Sequence, residues 1–245
     1  MSFLGIDIGG TGIKGAPVCP ETGKLETERL RIPTPRPATP ANIITAAARI
    51  VQHFDVIGPV GFGFPAVIKN GKVRTAANID TSWIGLNAAE LMERATNRPV
   101  VFLNDADAAG IAEMRFGAGR GRDGVVVIIT LGTGIGTSLF VNGTLVPSTE
   151  FGHIEIKGRI AEKYAAESVR KAKNLNWIEW GGRVDEYLCK LDELIRPDLI
   201  IVGGGASNKY ENFSPCFTLG TEVVPAKLRN KAGIIGAALA AQAGS

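Results

Sequence analysis

A chain of 245 residues, 45% hydrophobic and 21% charged, has the composition of an ordinary globular protein and enough length for one large core or two small ones. Lys and Arg exceed Asp and Glu by only 27 to 24, an excess too mild to argue for nucleic acid but suited to an anionic phosphate substrate. The apolar runs fall far short of the roughly 20 residues that cross a bilayer, and Cys19, Cys189 and Cys216, odd in number and without metal-type spacing, predict reduced thiols rather than disulfides.

The N-terminus has neither a basic region ahead of its apolar stretch nor a small-residue cleavage site, so a cytoplasmic address is expected. Phe3 to Ile8 reads as a buried strand running into the turn Gly9-Gly10-Thr11-Gly12. Thr34 to Pro40, with Pro35, Pro37 and Pro40, predicts an extended connection into a helix over about 41 to 57. Val60 to Phe64 is a second strand, and a helix is expected over 87 to 96. Val100 to Leu103 is a third strand; Asn104-Asp105 closes it and opens a helix over 106 to 116. Val125 to Leu131 leads into Gly132-Thr133-Gly134-Ile135-Gly136, followed by helices over 161 to 175 and 177 to 195. Leu199 to Val202 is a strand ending in Gly203-Gly204-Gly205; residues 206 to 222 read as irregular, and a last helix is expected over 231 to 243. Strands and helices therefore alternate, which predicts an α/β fold.

Two of these strands echo each other. Both Phe3 to Gly12 and Val127 to Gly136 are apolar runs entering a Gly/Thr-rich turn and then a further β-type stretch, a pattern that two lobes with one phosphate-gripping hairpin each would explain. In the first hairpin Gly9, Gly10 and Gly12 allow backbone N–H groups to approach phosphate oxygens, while Thr11 adds a hydroxyl and Lys14 a charge. Asp7, at the end of its strand, is a candidate for a hydrated magnesium ion. The spacing fits neither a Walker A loop nor a dinucleotide fingerprint. Thr133 and Gly134 give the second turn the same donor chemistry.

Asp105 stands where ligands collect, at the carboxyl end of a parallel strand, and a carboxylate there can take the proton of an attacking sugar hydroxyl. Helix capping is the alternative for Asn104-Asp105, and Asp107 reads as capping or solvated. Glu150 and His153, three residues apart around Gly152, can both face one polyhydroxylated ligand; His53, without acidic or Gly-rich neighbours, has no such reading. The turn at Gly204-Gly205 lets a flat base or a phosphate chain lie against bare backbone, or is only tight.

The order of these motifs resembles the ROK family of sugar kinases and repressors, within the actin-like ATPase superfamily, and most closely its polyphosphate glucokinase branch. The resemblance rests on Gly5 to Gly15, Gly61 to Pro65, Asn78-Ile79-Asp80 with Trp83, Asn104 to Gly110, Leu131 to Gly136, Glu150 to His153, Leu199 to Gly205 and the tail from Val224 to Ala238. It implies a two-lobed actin-like (ribonuclease H-like) fold, with a small lobe over 1 to 103 and a large one over 104 to 245, and the final helix crossing back to the small lobe. The implied activity is phosphorylation of the 6-hydroxyl of glucose from inorganic polyphosphate, ATP or both, with Mg2+, in a homodimer that binds neither nucleic acid nor membrane. By resemblance Asp105 is the catalytic base, Asn78, Asn104, Glu150, His153 and Glu162 are sugar ligands, and Gly204 and Gly205 lie toward the adenine. Many members carry a cysteine-rich zinc motif after Gly-His. This chain runs Gly152-His153-Ile154-Glu155-Ile156-Lys157 instead, so no structural zinc is expected. The first hairpin begins at Gly5, so the DNA-binding domain of the repressor members is not expected. Lys14, Arg115, Arg120 and Arg122 are candidates for a basic polyphosphate track. A strictly ATP-dependent hexose kinase for glucose or mannose, and a sugar sensor without turnover, are the alternatives; a pure sensor needs no base at Asp105.

Overall fold

Apolar runs closed by glycine become the central strands of two sheets, and the amphipathic stretches between them become the helices that cover those sheets. The computed structural model describes residues 1–77 and 79–244. The chain forms two units, Met1–Ala112 with Lys231–Ser245 and Glu113–Asn230.

The first unit runs β1 (Phe3–Ile8), β2 (Ile13–Val18), β3 (Leu30–Ile32), α1 (Pro40–His53), β4 (Val60–Phe64), β5 (Ile68–Lys69), β6 (Lys72–Val73), α2 (Ala88–Thr96) and β7 (Val100–Asn104), then enters α3 (Asp105–Phe116). Its sheet has the order β3-β2-β1-β4-β7. The first three strands are antiparallel, while β1, β4 and β7 are parallel. Ile6, Ile8, Ile43, Phe62, Phe64 and Trp83 form its core. α1 ends four residues before the sequence pattern predicts, because Phe54 turns to extended backbone (φ −102°, ψ 123°) and buries its ring.

The second unit continues with β8 (Val125–Leu131), β9 (Ile135–Val141), β10 (Thr144–Val146), β11 (Glu155–Ile156), β12 (Arg159–Ile160), α4 (Glu162–Ala165), α5 (Glu167–Ala172), α6 (Trp177–Ile195), β13 (Leu199–Gly203) and β14 (Glu222–Pro225). Its sheet order is β10-β9-β8-β13-β14. Again the first three strands are antiparallel, and β8, β13 and β14 are parallel. The echo between two stretches of sequence is therefore one sheet plan used twice. Trp180, Val184, Tyr187 and Leu188 of α6 fill the core against Val127, Ile129 and Val202.

α6 starts on a complete capping box: the Asn176 side chain accepts from the backbone of Ile178 and Glu179, and Glu179 accepts from the Asn176 N–H. The single helix expected over 161 to 175 is instead two. Ala166 is extended (φ −62°, ψ 152°), the Trp180 indole N–H bonds the carbonyls of Ala165 and Ala166, and Ser168 is drawn onto the β8–β9 turn. Tertiary hydrogen bonds thus compete with the helical ladder and break it.

The chain ends with α7 (Ala232–Ala243), which packs on β1 and β4 in the first unit. Contact is this close because the strands present Gly5 and Gly61, where a Cβ would fall 1.9 Å from the Ile234 carbonyl oxygen and 1.8 Å from that of Ala237. Among the described residues no helix is long and apolar enough to cross a membrane.

Candidate active site

In the first unit the candidate residues gather at the carboxyl ends of β1 and β7. Ile8 pairs with Ile13, so the turn is Gly9 to Gly12, closed by the Gly9 N–H on the Gly12 carbonyl at 3.1 Å. Gly10 and Thr11 are exposed at its tip. The tip is held from behind: the Thr34 hydroxyl donates to the Gly9 carbonyl at 2.5 Å, and Arg31 Nη2 donates to the Thr11 carbonyl at 2.9 Å. One pair below the turn, Asp7 faces Lys14 across the ladder, with Nζ 3.6 Å from Oδ2. Burial pushes the Asp7 carboxyl above its ordinary value, and the Lys14 ammonium pulls against that shift.

Asn104 ends β7 and is 8% exposed. Its Oδ1 accepts from the Ala106 and Asp107 N–H groups at 2.8 and 3.1 Å, and its Nδ2 donates to the Ala66 carbonyl at 3.0 Å. Asn104 therefore caps α3, and those bonds use its oxygen and one of its two amide hydrogens. Asp105 is the first residue of the helix and half-buried, where the helix dipole favours a negative charge. Asp107, expected to cap the helix or face solvent, is not solvated: the fold leaves it only 2% exposed in the first turn of α3. Asn78 lies outside the described residues.

In the second unit the turn after β8 is Gly132 to Gly134, closed by the Gly132 N–H on the Gly134 carbonyl at 3.0 Å. Ser168, in the first turn of α5, docks on it, its N–H bonding the Gly132 carbonyl at 3.1 Å and its hydroxyl the Thr133 carbonyl at 2.6 Å. Thr133 itself is exposed. Beside this turn the segments that carry the sugar-ligand candidates Glu150, His153 and Glu162 meet at one residue, Ile135. Glu162 Oε2 accepts from the Ile135 N–H at 3.0 Å. Gly152 lies against the other side of that residue, where a Cβ would sit 2.3 Å from the Ile135 carbonyl oxygen.

Thr137 pins the approach, its hydroxyl donating to the Thr149 carbonyl at 2.8 Å and accepting from the Phe151 N–H at 3.1 Å. The resulting single 3-10 turn over Phe151–His153 brings His153 Nδ1 to 3.4 Å from Glu150 Oε2. Burial pushes the Glu150 carboxyl up; His153 opposes the shift and the nearby Glu162 carboxylate adds to it. After His153 the chain forms the β11–β12 hairpin, turning through Lys157 and Gly158 at positive φ. Ile156 is buried in the core, and Lys157 Nζ bonds Glu186 Oε1 of α6 at 2.7 Å.

Gly204 follows β13 in left-handed backbone (φ 78°), and with Gly205 it is exposed. The segment beyond helps to line a cavity of about 510 Å³ whose walls include Ser207, Asn208, Tyr210, Pro225, Lys227 and Arg229. A larger hollow of about 740 Å³, lined in part by Met1, Pro17, His53 and Ile57, contains none of the candidate residues. Two of the four basic track candidates are already paired, Lys14 with Asp7 and Arg122 with Glu222 at 2.7 Å. Arg115 and Arg120 are exposed. Arg31, Thr34, Thr137 and Ser168 escape sequence reasoning. They act largely through backbone groups of residues distant in sequence, which no spacing reveals.

A model of the ROK family matches residues 3–167. The polyphosphate glucokinase of Mycobacterium tuberculosis (strain CDC 1551 / Oshkosh) is 47% identical over 241 residues, covering 98% of this chain and 91% of that protein. Among solved structures, an inorganic polyphosphate/ATP-glucomannokinase from Arthrobacter sp. strain KM aligns with a TM-score of 0.96 at 45% identity, covering 100% of this chain and 99% of that one. A ROK family glucokinase from Streptomyces griseus, solved in complex with glucose and AMPPNP, aligns with a TM-score of 0.84 at 26% identity, over 97% and 98% of the two chains.

Proposed function

The chain belongs to the ROK family, and we propose from that membership that it is a glucokinase forming glucose 6-phosphate from glucose with polyphosphate or ATP as donor. Its fold is the actin-like two-domain ATPase fold of that family. The observation that carries the reading is the clustering of the Glu150–His153 pair and Glu162 about Ile135, whose N–H bonds Glu162 and whose carbonyl lies against Gly152, beside a glycine turn with an exposed tip. Two carboxylates and an imidazole offer the acceptors and donors that a ring of hydroxyls requires, and a site built from such groups rejects molecules that leave them unpaired.

In this reading Asp105 accepts the proton of the 6-hydroxyl as that oxygen bonds to phosphorus and the bond from phosphorus to the remaining donor chain breaks. Backbone N–H groups of each glycine turn, Gly9 to Gly12 and Gly132 to Gly134, offer donors to phosphate oxygens. Among the described residues no group of three or more His, Cys, Asp and Glu side chains can hold a metal ion. Magnesium does not need one: it is commonly held by one or two carboxylates, substrate phosphates and water. The half-buried Asp7 carboxylate fits that role, with Lys14 alongside, and when bound the ion would neutralise phosphate charge.

A cytoplasmic homodimer is part of the same proposal, and Ile178 and Leu194, both more than half exposed on α6, offer apolar surface for a partner copy. Light scattering at twice the chain mass supports the dimer, and the monomer mass removes it. Acceptance of mannose is decided in the same assay as glucose. The central experiment supplies purified protein with glucose and either ATP or long-chain polyphosphate. Formation of glucose 6-phosphate from both is expected. No product from either donor overturns the function, and product from ATP alone leaves a strictly ATP-dependent kinase.

A further inference from the structure

Between the end of β14 at Pro225 and a 3-10 turn at Arg229, residues 226 to 228 belong to no helix or strand, yet Pro225, Ala226, Lys227 and Arg229 line the 510 Å³ cavity, whose walls also carry Ser207 and Asn208, just beyond Gly204-Gly205 in the chain. Backbone with no ladder partner must be fixed by something else. The Ala226 N–H still bonds the Val202 carbonyl at 2.9 Å; Lys227 and Leu228 are held by Glu113, on α3 two turns beyond Asp105 and 1% exposed. Glu113 Oε2 accepts from the Lys227 N–H at 3.1 Å and from the Ala118 N–H at 2.9 Å, while Oε1 accepts from the Leu228 N–H at 2.6 Å. Ala118, too, lines the cavity. Gly117 gives the carboxylate room, since a Cβ there would fall 1.9 Å from Oε2.

A carboxylate buried this far is costly unless hydrogen bonds satisfy it. Here the bonds run to backbone groups at 118, 227 and 228, so the same three contacts that satisfy the charge set the course of one cavity wall. We propose that Glu113 is a positioning residue for the phosphoryl donor, holding the 225–228 segment in the shape that receives the end of the donor distal to the transferred group. This rests on the kinase reading above.

The test replaces Glu113 by Gln, which keeps the size but turns an amino group toward a backbone donor on one of the two oxygens. The Michaelis constant for ATP should rise at least about tenfold while that for glucose stays within about twofold, because charge-assisted bonds to buried backbone are among the stronger ones. Equal changes in both constants, or none, overturn the proposal. Wild-type protein assayed in parallel separates the two readings: absence of any product there sinks the kinase function, whereas an active wild type with an unaltered Glu113→Gln donor constant sinks only the role of Glu113. Should the variant fail to fold, hydrogen exchange on the wild type decides. Binding of AMPPNP should slow exchange at 226 to 228 by at least about tenfold, and unchanged exchange in that segment overturns the proposal.

Discussion

Substituting Gly152 by Ala tests the sugar half of the site through geometry alone, since no polar group is removed. A Cβ at 152 falls 2.3 Å from the Ile135 carbonyl oxygen and 3.2 Å from the Ile135 Cβ. Relief to an ordinary contact requires the Phe151–His153 turn or the start of β9 to move by about 1 Å. Either movement disturbs the same group: the turn carries Glu150 and His153, and β9 carries the Ile135 N–H that holds Glu162. A displacement of that size in a positioning element can cost about 100-fold. The expected result is a Michaelis constant for glucose raised about 10- to 100-fold with that for ATP within about twofold. Overpacking should also lower stability by about 1–3 kcal/mol, or roughly 2–12 °C in Tm for a chain of this size. Steady-state kinetics with each substrate varied in turn, alongside a thermal melt, provides both readouts. A Gly152→Ala protein with the wild-type glucose constant would show that this turn does not shape the sugar site.

Asp105→Asn should lower kcat by at least about 100-fold and leave glucose affinity by calorimetry within a few-fold, as loss of a general base does; near-native turnover takes Asp105 out of the mechanism. Because burial raises the Glu150 carboxyl above its ordinary 4.5, the folded protein disfavours the ionised form, so Glu150→Gln should raise Tm at pH 7, a gain that shrinks as the pH falls through the raised folded value toward 4.5 and is gone below it. A Tm difference that stays constant from pH 7 to pH 4 would contradict this, and the same variant should bind glucose more weakly. Polyphosphate engages more charges than ATP, so its apparent affinity should fall more steeply with salt. Arg120→Ala combined with Arg122→Ala should raise its Michaelis constant more than that of ATP; equal effects on both donors leave these arginines as a solvated loop.

The elements that sequence reveals best are those whose partners are all apolar. β8 and β13 read as strands because burial on both faces gives nearly unbroken runs of branched residues, β1 and β4 because short apolar stretches are punctuated by Gly, and α6 reads as a helix because cap and apolar stripe agree. β3, β10 and β14 do not, being short and only partly buried, with too little apolar signal to count. The split between α4 and α5 is invisible for a different reason. Ala166, Glu167 and Ser168 are all acceptable in a helix, and only the indole of Trp180 and the carbonyls of the β8–β9 turn, fixed by tertiary structure, decide against one. Among the candidate site residues, those proposed to meet a ligand through their side chains, such as Asp105, Glu150 and His153, stand out by type. Asn104 illustrates the limit, since the same letter serves a cap and a ligand, and only its bonds to Ala106, Asp107 and Ala66 show how much of it the fold consumes. Glu113 carried no signal, because a carboxylate in the last turns of a helix ordinarily faces water.

The repeated sheet plan permits a residue-by-residue comparison of the chain with itself. One pair below each turn, the first unit sets Asp7 against Lys14, and the second sets Thr130 against Gly136. The turns themselves differ by one residue, Gly9 to Gly12 against Gly132 to Gly134. If the two sheets descend from one ancestral half, ionic chemistry was kept or acquired in only one descendant, while its sibling stayed neutral at the matching rungs and placed its acidic groups farther on, at Glu150 and Glu162. Symmetry of scaffold then coexists with a division of labour. A transplant of the Asp/Lys pair into the second ladder would meet a rung whose flanking loops are already engaged by Ser168, Glu162 and Gly152, which is how a duplicated fold ceases to be interchangeable with itself.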